Sequence, residues 1–198
     1  GVGAGNVAVI VDASADVARA ASLIAASKTF DHATSCSSEN AVIALDAIAA
    51  PLRAALEAEG GVWLDAAEKA ALQRAMWRDG RLAPAIIAQS APRIAAAAGL
   101  TRPALAAARF LVVDEDGVGA AHPFSGEKLS PVLAFYRVPD FAGAQALVAR
   151  IYGYQGAGHS VGIHTADAQQ PQQLGLALPV ARVIVNQAHC FATGGNFD

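Results

Sequence analysis

Short apolar runs rich in β-branched residues recur along this chain and alternate with stretches of helical spacing. The runs with strand character lie at 7–11, 41–45, 109–114, 131–138, 160–165 and 181–186. Because these runs are apolar on nearly every residue, both faces of each strand have to be covered. The pattern therefore predicts an α/β fold with a mainly parallel sheet covered by helices on both faces.

Helical stretches fill the intervals between these runs. Apolar residues at helical spacing predict helices over 14–29, 46–59, 65–78 and 140–153. Ser14 is a candidate N-cap of the first helix, and Asp140 is predicted to begin the last one. Gly60 and Gly61 separate the second helix from the third.

Composition excludes several functional classes. The chain is 54% hydrophobic and 16% charged, which is typical of a globular protein. A net charge of −3 without a basic stripe argues against nucleic-acid binding. The longest apolar stretches are interrupted by charge or proline, so no membrane span is expected. Two cysteines, 154 positions apart, and the lack of a secretory signal predict a reduced, cytoplasmic protein.

Both ends of the chain are glycine-rich. The first residues, "GVGAGN", resemble a dinucleotide-binding fingerprint, but a strand follows them where that fingerprint needs a helix. A tight turn that leads into a strand is the better interpretation. The chain stops at "FATGGNFD", without a closing element. We therefore expect one domain, 1–198, from a longer polypeptide.

Cys36 lies in "TSCSSEN", among small hydroxyl residues. A loop of small side chains leaves backbone N–H groups accessible, which suits a thiolate nucleophile. From composition alone, a nucleophile and an incidental cysteine are equally favoured. Cys190 follows His189, but neighbouring side chains usually point apart, so a pocket-lining role suits Cys190 better than a catalytic one.

The five histidines do not have the spacing of a metal site, and no CxxC or HExxH motif is present. His159 follows a glycine-rich turn at the start of a strand, where either a functional or a hydrogen-bonded structural histidine fits. Glu127 lies in a loop that contains two prolines, 122–131. It could bind the hydroxyl groups of a ligand or form a solvated ion pair with Lys128.

Taken together, the segments of this chain resemble the catalytic half of the aldehyde dehydrogenases. The order and spacing of four segments carry the resemblance: 1–40, "FSGEKLSPVLAFYRVPDF", "YQGAGHSVGIHT" and "ARVIVN". The CoA-acylating branch is the most similar. The resemblance implies a three-layer αβα catalytic domain, with Cys36 as the nucleophile. It also implies that Glu127 binds the nicotinamide ribose and that His159 lies near the active site.

The same resemblance implies a reaction. In the hydrolytic branch, a glutamate activates the water that breaks the enzyme thioester, and Gly1 stands in its place here. A general base contributes about 10²–10⁴ in rate, so a thiol is the better acyl acceptor for this chain. NAD or NADP is the implied cofactor, and CoA is the implied co-substrate.

The implied substrate is a small aldehyde. The segments look most like those of sulfoacetaldehyde-oxidising members, while acetaldehyde, propionaldehyde and succinate semialdehyde stay open. The hydroxyls of Thr34, Ser35 and Ser37 are candidate donors to a sulfonate or carboxylate, and Cys190 is a candidate pocket residue.

The remaining expectations concern the parent protein and the alternatives. The cofactor-binding domain and the oligomerisation segment are expected outside this chain, in a homo-oligomeric parent, so the isolated domain should be inactive or weakly active. One alternative is a non-catalytic interaction module with an unreactive Cys36. Another is a cofactor-independent thioesterase, which Gly1 disfavours because it removes the obvious base.

Overall fold

A computed structural model describes residues 5–192 of the chain. Nine strands are present in this range, seven of them in one sheet. They are β1 (Val7–Val11), β2 (Glu39–Leu45), β3 (Gly61–Trp63), β4 (Trp77–Arg78), β5 (Arg81–Leu82), β6 (Phe110–Asp114), β7 (Val132–Val138), β8 (Ser160–His164) and β9 (Arg182–Val185).

Six α-helices connect these strands within the described range. They are α1 (Val17–Thr29), α2 (Asp46–Ala58), α3 (Ala66–Met76), α4 (Ala91–Ala97), α5 (Phe141–Tyr154) and α6 (Gln169–Ala177). No helix among residues 5–192 is long and apolar enough to cross a bilayer.

The large sheet has the order β3-β6-β7-β2-β1-β8-β9, and all its strand pairs are parallel. Strand β1 lies inside the sheet, where Val9 pairs with Val42 of β2 on one side and with Gly162 of β8 on the other. Because the strands are parallel, every loop that enters a strand lies at one edge of the sheet and every loop that leaves one lies at the other.

Apolar side chains fill a separate core on each face of the sheet. One core packs α1 and α2 against the sheet, with Ile24 and Leu52 fully buried. The other packs α3, α4, α5 and α6 against the opposite face, with Leu72 and Ile151 fully buried. Each such side chain contributes about 1.5–3 kcal/mol when it leaves water. The predicted α/β fold with a covered, mainly parallel sheet is confirmed.

Short elements differ from the prediction. The helix predicted over 65–78 ends at Met76, because Trp77 and Arg78 form an antiparallel hairpin with β5. Strand β3 and the helices α4 and α6 were not predicted. Strand β3 has three residues, and α6 is largely polar, "QQPQQLGLA", so neither carries a clear apolar period.

The two predicted helix starts had different outcomes. Asp140 is the N-cap of α5, and its side chain accepts a hydrogen bond from Gly143 N at 2.8 Å, as predicted. Ser14 does not cap α1; that prediction was wrong. Asp16 caps α1 by accepting from Arg19 N at 3.0 Å, while the Ser14 hydroxyl donates to Asp12 Oδ2.

Candidate active site

The main candidate residues lie at the edge of the sheet where the chain enters its strands. Cys36 precedes β2, Glu127 precedes β7, and His159 precedes β8, while Gly5 and Asn6 precede β1. These four strands are neighbours in the order β7-β2-β1-β8. Residues that are up to 154 positions apart in the sequence, Gly5 and His159, therefore share one edge of the sheet.

Gly5 brings Cys36 and Glu127 together. A Cβ built on Gly5 would lie 2.6 Å from both Cα and Cβ of Cys36, so only glycine allows this approach. The backbone N–H of Gly5 donates to Glu127 Oε1 at 3.1 Å. The nucleophile candidate and the ribose-binding candidate thus contact the same residue. Gly1, the residue implied to replace a general base, lies outside the described residues.

Hydrogen bonds from the Asn40 side chain stabilise the segments that carry Gly5, Cys36 and Glu127. Its side-chain NH₂ donates to Gly5 O at 3.2 Å and to Ser38 O at 3.3 Å, and its Oδ1 accepts from Lys128 N at 3.0 Å. The side chain is buried, so all three contacts are shielded from water. Sequence reasoning missed Asn40, although its amide, next to Glu39 at the start of the apolar run "AVIAL", was a signal.

Cys36 is exposed and lies in a turn. A strained segment comes directly before this turn. Asp31, His32 and Ala33 have φ values of 47°, 50° and 58°, a left-handed run without glycine. Each such residue costs on the order of 1–2 kcal/mol. The Thr34 hydroxyl donates to Asp31, at 2.9 Å to its backbone oxygen and 2.8 Å to its Oδ2. The strain and this bond fix the path of the chain into the Cys36 turn.

The serine hydroxyls beside Cys36 bond to each other. Ser35 Oγ and Ser37 Oγ lie 2.8 Å apart, and Ser37 N donates to Ser35 Oγ at 3.3 Å. One of the two hydroxyls donates in this pair, so the proton of the other is free for a ligand. The three predicted substrate hydroxyls therefore all have partners within the turn, and one proton remains available.

Glu127 has one engaged and one open carboxylate oxygen. Oε1 accepts from Gly5 N, and Oε2 has no partner among residues 5–192 while the side chain is half-buried. Burial raises the pKa of Glu127 against the opposing effects of the Gly5 N–H and of Lys128 and Lys28. The residue lines a crevice of about 460 Å³, together with Gln73, Trp77, Arg81, Tyr154 and Gln155. A carboxylate oxygen that faces such a crevice fits a ribose hydroxyl.

Two lysines are completely buried behind this edge of the sheet. Lys28 Nζ donates to Glu39 O at 2.8 Å, and Lys128 Nζ donates to Phe124 O and Gly126 O at 2.6 and 2.9 Å. Burial lowers the pKa of Lys28 to about 7, against the opposing effects of Glu39 and Glu127. Burial and the charge of Lys28 lower the pKa of Lys128 well below its usual value. Sequence reasoning assigned Lys128 only a solvated ion pair; its burial shows instead that it anchors the loop of Glu127.

His159 is buried, and Nδ1 of its ring lies 2.9 Å from Ser160 Oγ. Burial lowers its pKa, and the charges of Arg182 and His189 act in the same direction. The turn before it packs against Asn6, whose side chain donates to Gln155 O at 3.2 Å. His159 thus shares the edge of Cys36 and has a structural hydrogen bond as well.

Cys190 is buried beneath α1 and is not part of a disulfide. Its backbone N–H donates to Ser27 Oγ at 3.1 Å, and burial raises the pKa of its thiol. A buried thiol with a raised pKa is a poor nucleophile. The choice of Cys36 over Cys190 as nucleophile stays a prediction.

One group of possible metal ligands lies apart from this edge. Glu115, Asp116 and His122 are close enough to share an ion. Glu115 Oε1 already accepts from Asp116 N, Gly117 N and His122 Nδ1, and its Oε2 pairs with Lys69 at 3.1 Å. With both oxygens of Glu115 engaged, this residue stabilises the 115–122 loop, and the exposed carboxylate of Asp116 is the one left open in the cluster.

Comparison with known proteins shows which enzymes this chain is similar to. No family model matches the sequence. The chain is 60% identical, over all its 198 residues, to a sulfoacetaldehyde dehydrogenase (acylating) of Cupriavidus necator, of which it covers 40%. It is 38% identical to an enzyme of the same name from Bilophila wadsworthia, where 99% of the chain covers 43% of the relative.

Solved structures give the same result for the fold. The structure superimposes on an acetylating aldehyde dehydrogenase of Geobacillus thermoglucosidasius with a TM-score of 0.92 at 37% identity, over 96% of the chain and 42% of that protein. A propionaldehyde dehydrogenase of Clostridium phytofermentans shares the fold with a TM-score of 0.89 at 24% identity, over all of the chain and 44% of that protein. In sequence and in fold, the chain is a homologue of the acylating aldehyde dehydrogenases and corresponds to about two fifths of their length.

Proposed function

We propose that residues 1–198 form the thiol-bearing catalytic domain of a CoA-acylating aldehyde dehydrogenase. One observation carries this proposal: the exposed Cys36 and the open carboxylate of Glu127 both contact Gly5. A nucleophile and a hydroxyl-binding group are thereby fixed at neighbouring positions of one sheet edge. The complete enzyme would convert an aldehyde, NAD(P)⁺ and CoA into acyl-CoA, NAD(P)H and a proton.

Cys36 would perform the covalent steps. Its thiolate attacks the aldehyde carbon, and the C=O π electrons move to the oxygen to give a thiohemiacetal. The Cys36 N–H has no partner among the described residues, so it is available to stabilise this oxygen. The electron pair on this oxygen then re-forms the C=O bond as a hydride leaves the carbon, and a thioester remains on Cys36. The bound nicotinamide cofactor supplies the acceptor for that hydride.

Glu127 would hold the cofactor through its ribose. Its open Oε2 accepts a ribose hydroxyl, while Gly5 N fixes Oε1 and therefore the plane of the carboxylate. The crevice of about 460 Å³ beside it has an aromatic wall, Trp77 and Tyr154, and a cation, Arg81. Those groups suit a flat ring and a phosphate.

A thiol is the proposed acceptor of the acyl group. Attack of the CoA thiolate on the thioester forms acyl-CoA and returns Cys36 as a thiolate. A thiol is far more acidic than water, so this step needs no dedicated base. Gly1 supplies no carboxylate at the place where the family resemblance implies a water-activating glutamate.

The proposed substrate is sulfoacetaldehyde. The relative with this activity in its name is 60% identical, whereas a succinate-semialdehyde dehydrogenase (acetylating) of Clostridium kluyveri is 33% identical. The free proton of the Ser35–Ser37 pair is a donor for a sulfonate oxygen beside Cys36. Two thiols outside any disulfide suit a reducing, cytoplasmic setting.

The test uses the full-length parent enzyme, purified with and without Cys36→Ser. Its kcat/KM is measured for sulfoacetaldehyde, succinate semialdehyde, acetaldehyde and propionaldehyde, each with CoA and with NAD⁺ or NADP⁺. We expect the highest value for sulfoacetaldehyde, no turnover beyond one equivalent of acyl-enzyme without CoA, and no activity in Cys36→Ser. Equal turnover rates with and without CoA would contradict the acylating assignment. A higher kcat/KM for another aldehyde would show that this aldehyde, and not sulfoacetaldehyde, is the substrate.

A non-catalytic role makes a different prediction for the chain itself. As an interaction module, it would carry a Cys36 that iodoacetamide alkylates no faster than a free thiol in a short peptide. As a catalytic domain, its Cys36 should react faster, and Cys36→Ala should remove that reaction.

A further inference from the structure

The edge of the sheet opposite to Cys36 contains a second crevice. Its position follows from the connections of β1: α1 leads from β1 to β2 on one face, and α5 leads from β7 to β8 on the other. In open parallel sheets, ligands bind at such a switch point, beyond the carboxyl ends of the strands. Here the crevice measures about 370 Å³ and is lined by Ser14, Asp16, Arg19, Ala20, His164, Thr165, Ala166 and Asn186.

The amino end of α1 lies in this crevice. Among the described residues, the backbone N–H groups of Val17 and Ala18 have no hydrogen-bond partner, while Asp16 accepts from Arg19 N. A helix of 13 residues carries a partial positive charge at this end, which together with free N–H groups favours an anion.

His164 is a second, independent sign of a ligand. It is 3% exposed and lines the crevice, yet its ring makes no hydrogen bond with any residue in the range 5–192. Its backbone alone is engaged, since His164 O accepts from Asp12 N at 2.9 Å. Burial lowers the pKa of the ring to about 4, and the charges of His189 and Arg19 act in the same direction, against Glu39. A neutral imidazole keeps one N–H that needs an acceptor.

The charged groups at the crevice are mixed, and Arg19 supplies the cation of the lining. The Arg19 side chain has no ion pair with a described residue and is exposed at the rim. Asp12 lies beneath the crevice, but its carboxylate is engaged by Ser14, Thr165 and Gln170. Asp16 is the one acidic side chain of the lining, and its charge opposes anion binding, so the helix end, Arg19 and the His164 ring have to outweigh it.

We propose that this crevice binds a phosphate group, held by the amino end of α1, the Arg19 guanidinium and the His164 ring. The chemistry is shared by inorganic phosphate and by the phosphate of a nucleotide. The site lies beyond the carboxyl ends of β1 and β8, whereas Cys36 precedes β2 at the other edge. The phosphate bound there would therefore be an effector or a stabilising ion and not a reactant at Cys36. The proposed binding does not depend on the reaction proposed for Cys36.

The experiment follows the His164 ring by ¹H–¹⁵N NMR in the 198-residue chain during titration with inorganic phosphate. Chloride keeps the ionic strength constant. We expect a saturable shift of the ring resonances, at least tenfold weaker binding in Arg19→Gln, and tighter binding in Asp16→Asn, which keeps a capping side chain. Arg78→Gln, at an exposed arginine of the β4–β5 hairpin, should bind as the parent does.

A second titration with adenosine monophosphate separates the sources of the phosphate. Binding tighter than that of inorganic phosphate would assign the site to a nucleotide, and binding of equal strength would assign it to the free ion. A shift that does not saturate, or an Arg19→Gln curve that matches Arg78→Gln, would overturn the proposal.

Discussion

Glu39 and His189 form an ion pair that is completely enclosed by protein, with Oε1 and Nδ1 3.0 Å apart. Glu39 begins β2, three residues after Cys36, and His189 begins the turn that follows β9. The pair therefore links the nucleophile turn to the last described segment of the chain. Ser38 Oγ, Glu39 Oε2 and His189 Nε2 are buried here without a partner among residues 5–192, so the link depends on this contact.

The ion pair should make stability depend on pH. Burial alone would raise the pKa of Glu39, but the charge of His189 and hydrogen bonds from His189 and Ser27 outweigh it and keep that pKa below the ordinary value. The stabilisation is thus complete above the unfolded pKa of about 4.3 and is lost as pH falls through the folded pKa.

Urea unfolding between pH 7 and pH 3 checks this dependence. At pH 7, Glu39→Gln should cost on the order of 3–5 kcal/mol, because it leaves a buried partner unpaired. The cost should shrink toward pH 3. A cost that stays the same at both pH values would show that packing, and not charge, holds this contact.

Gly5 is the residue that allows Cys36 and Glu127 to meet. In Gly5→Ala, the new methyl group would lie 2.6 Å from Cys36 Cα and Cβ, so the turn must move. We expect a loss of stability of about 1–3 kcal/mol, as for other overpacked sites, and slower alkylation of Cys36.

Gly153→Ala is the matched control for this change. Gly153 lies in α5, and nothing is within 4 Å of a Cβ at that position. Alanine there should stabilise the protein by up to about 1 kcal/mol. Equal effects of the two substitutions in urea unfolding would refute the steric role of Gly5.

Asn40 should be hard to replace, because it both donates and accepts. Asn40→Asp keeps an acceptor for Lys128 N but removes the donors to Gly5 O and Ser38 O. We expect a cost of about 1–3 kcal/mol from the unsatisfied groups. Asn186→Asp, at an exposed amide beyond the opposite edge, controls for the added charge. Only Asn40→Asp should also change the alkylation rate of Cys36.

The strained run before Cys36 gives a prediction at an exposed site. His32 has a φ of 50°, which β-branched residues disfavour strongly. We expect His32→Val to destabilise the protein by about 1–2 kcal/mol and His32→Asn to be nearly neutral, since asparagine tolerates this conformation. Thermal unfolding of both variants decides the matter. Equal melting temperatures would show that the run is not held in the left-handed region.

The sequence was enough to predict the sheet and to single out Cys36 as a candidate whose role stays a prediction, and the reasons are local. Strands such as "VAVIV" are apolar on every residue, and Cys36 stands among small polar neighbours. The roles of Gly5, Asn40 and Lys28 could not be predicted, because each depends on a contact with a segment elsewhere in the chain. Gly5 N, for instance, meets Glu127 across 122 positions. Serine and aspartate are both good N-caps, so Ser14 and Asp16 could each begin α1. The residue at which the helix starts, Val17, decides in favour of Asp16.

The central claim is that Cys36 carries the acyl group. The most direct test incubates the full-length parent enzyme with sulfoacetaldehyde and NAD(P)⁺ in the absence of CoA, followed by acid quench, proteolysis and mass spectrometry. The account predicts the mass of the acyl group on the peptide that contains Cys36, and its disappearance when CoA is added before the quench. An enzyme that turns over with CoA while the Cys36 peptide never gains this mass, or an active Cys36→Ser variant, would contradict it.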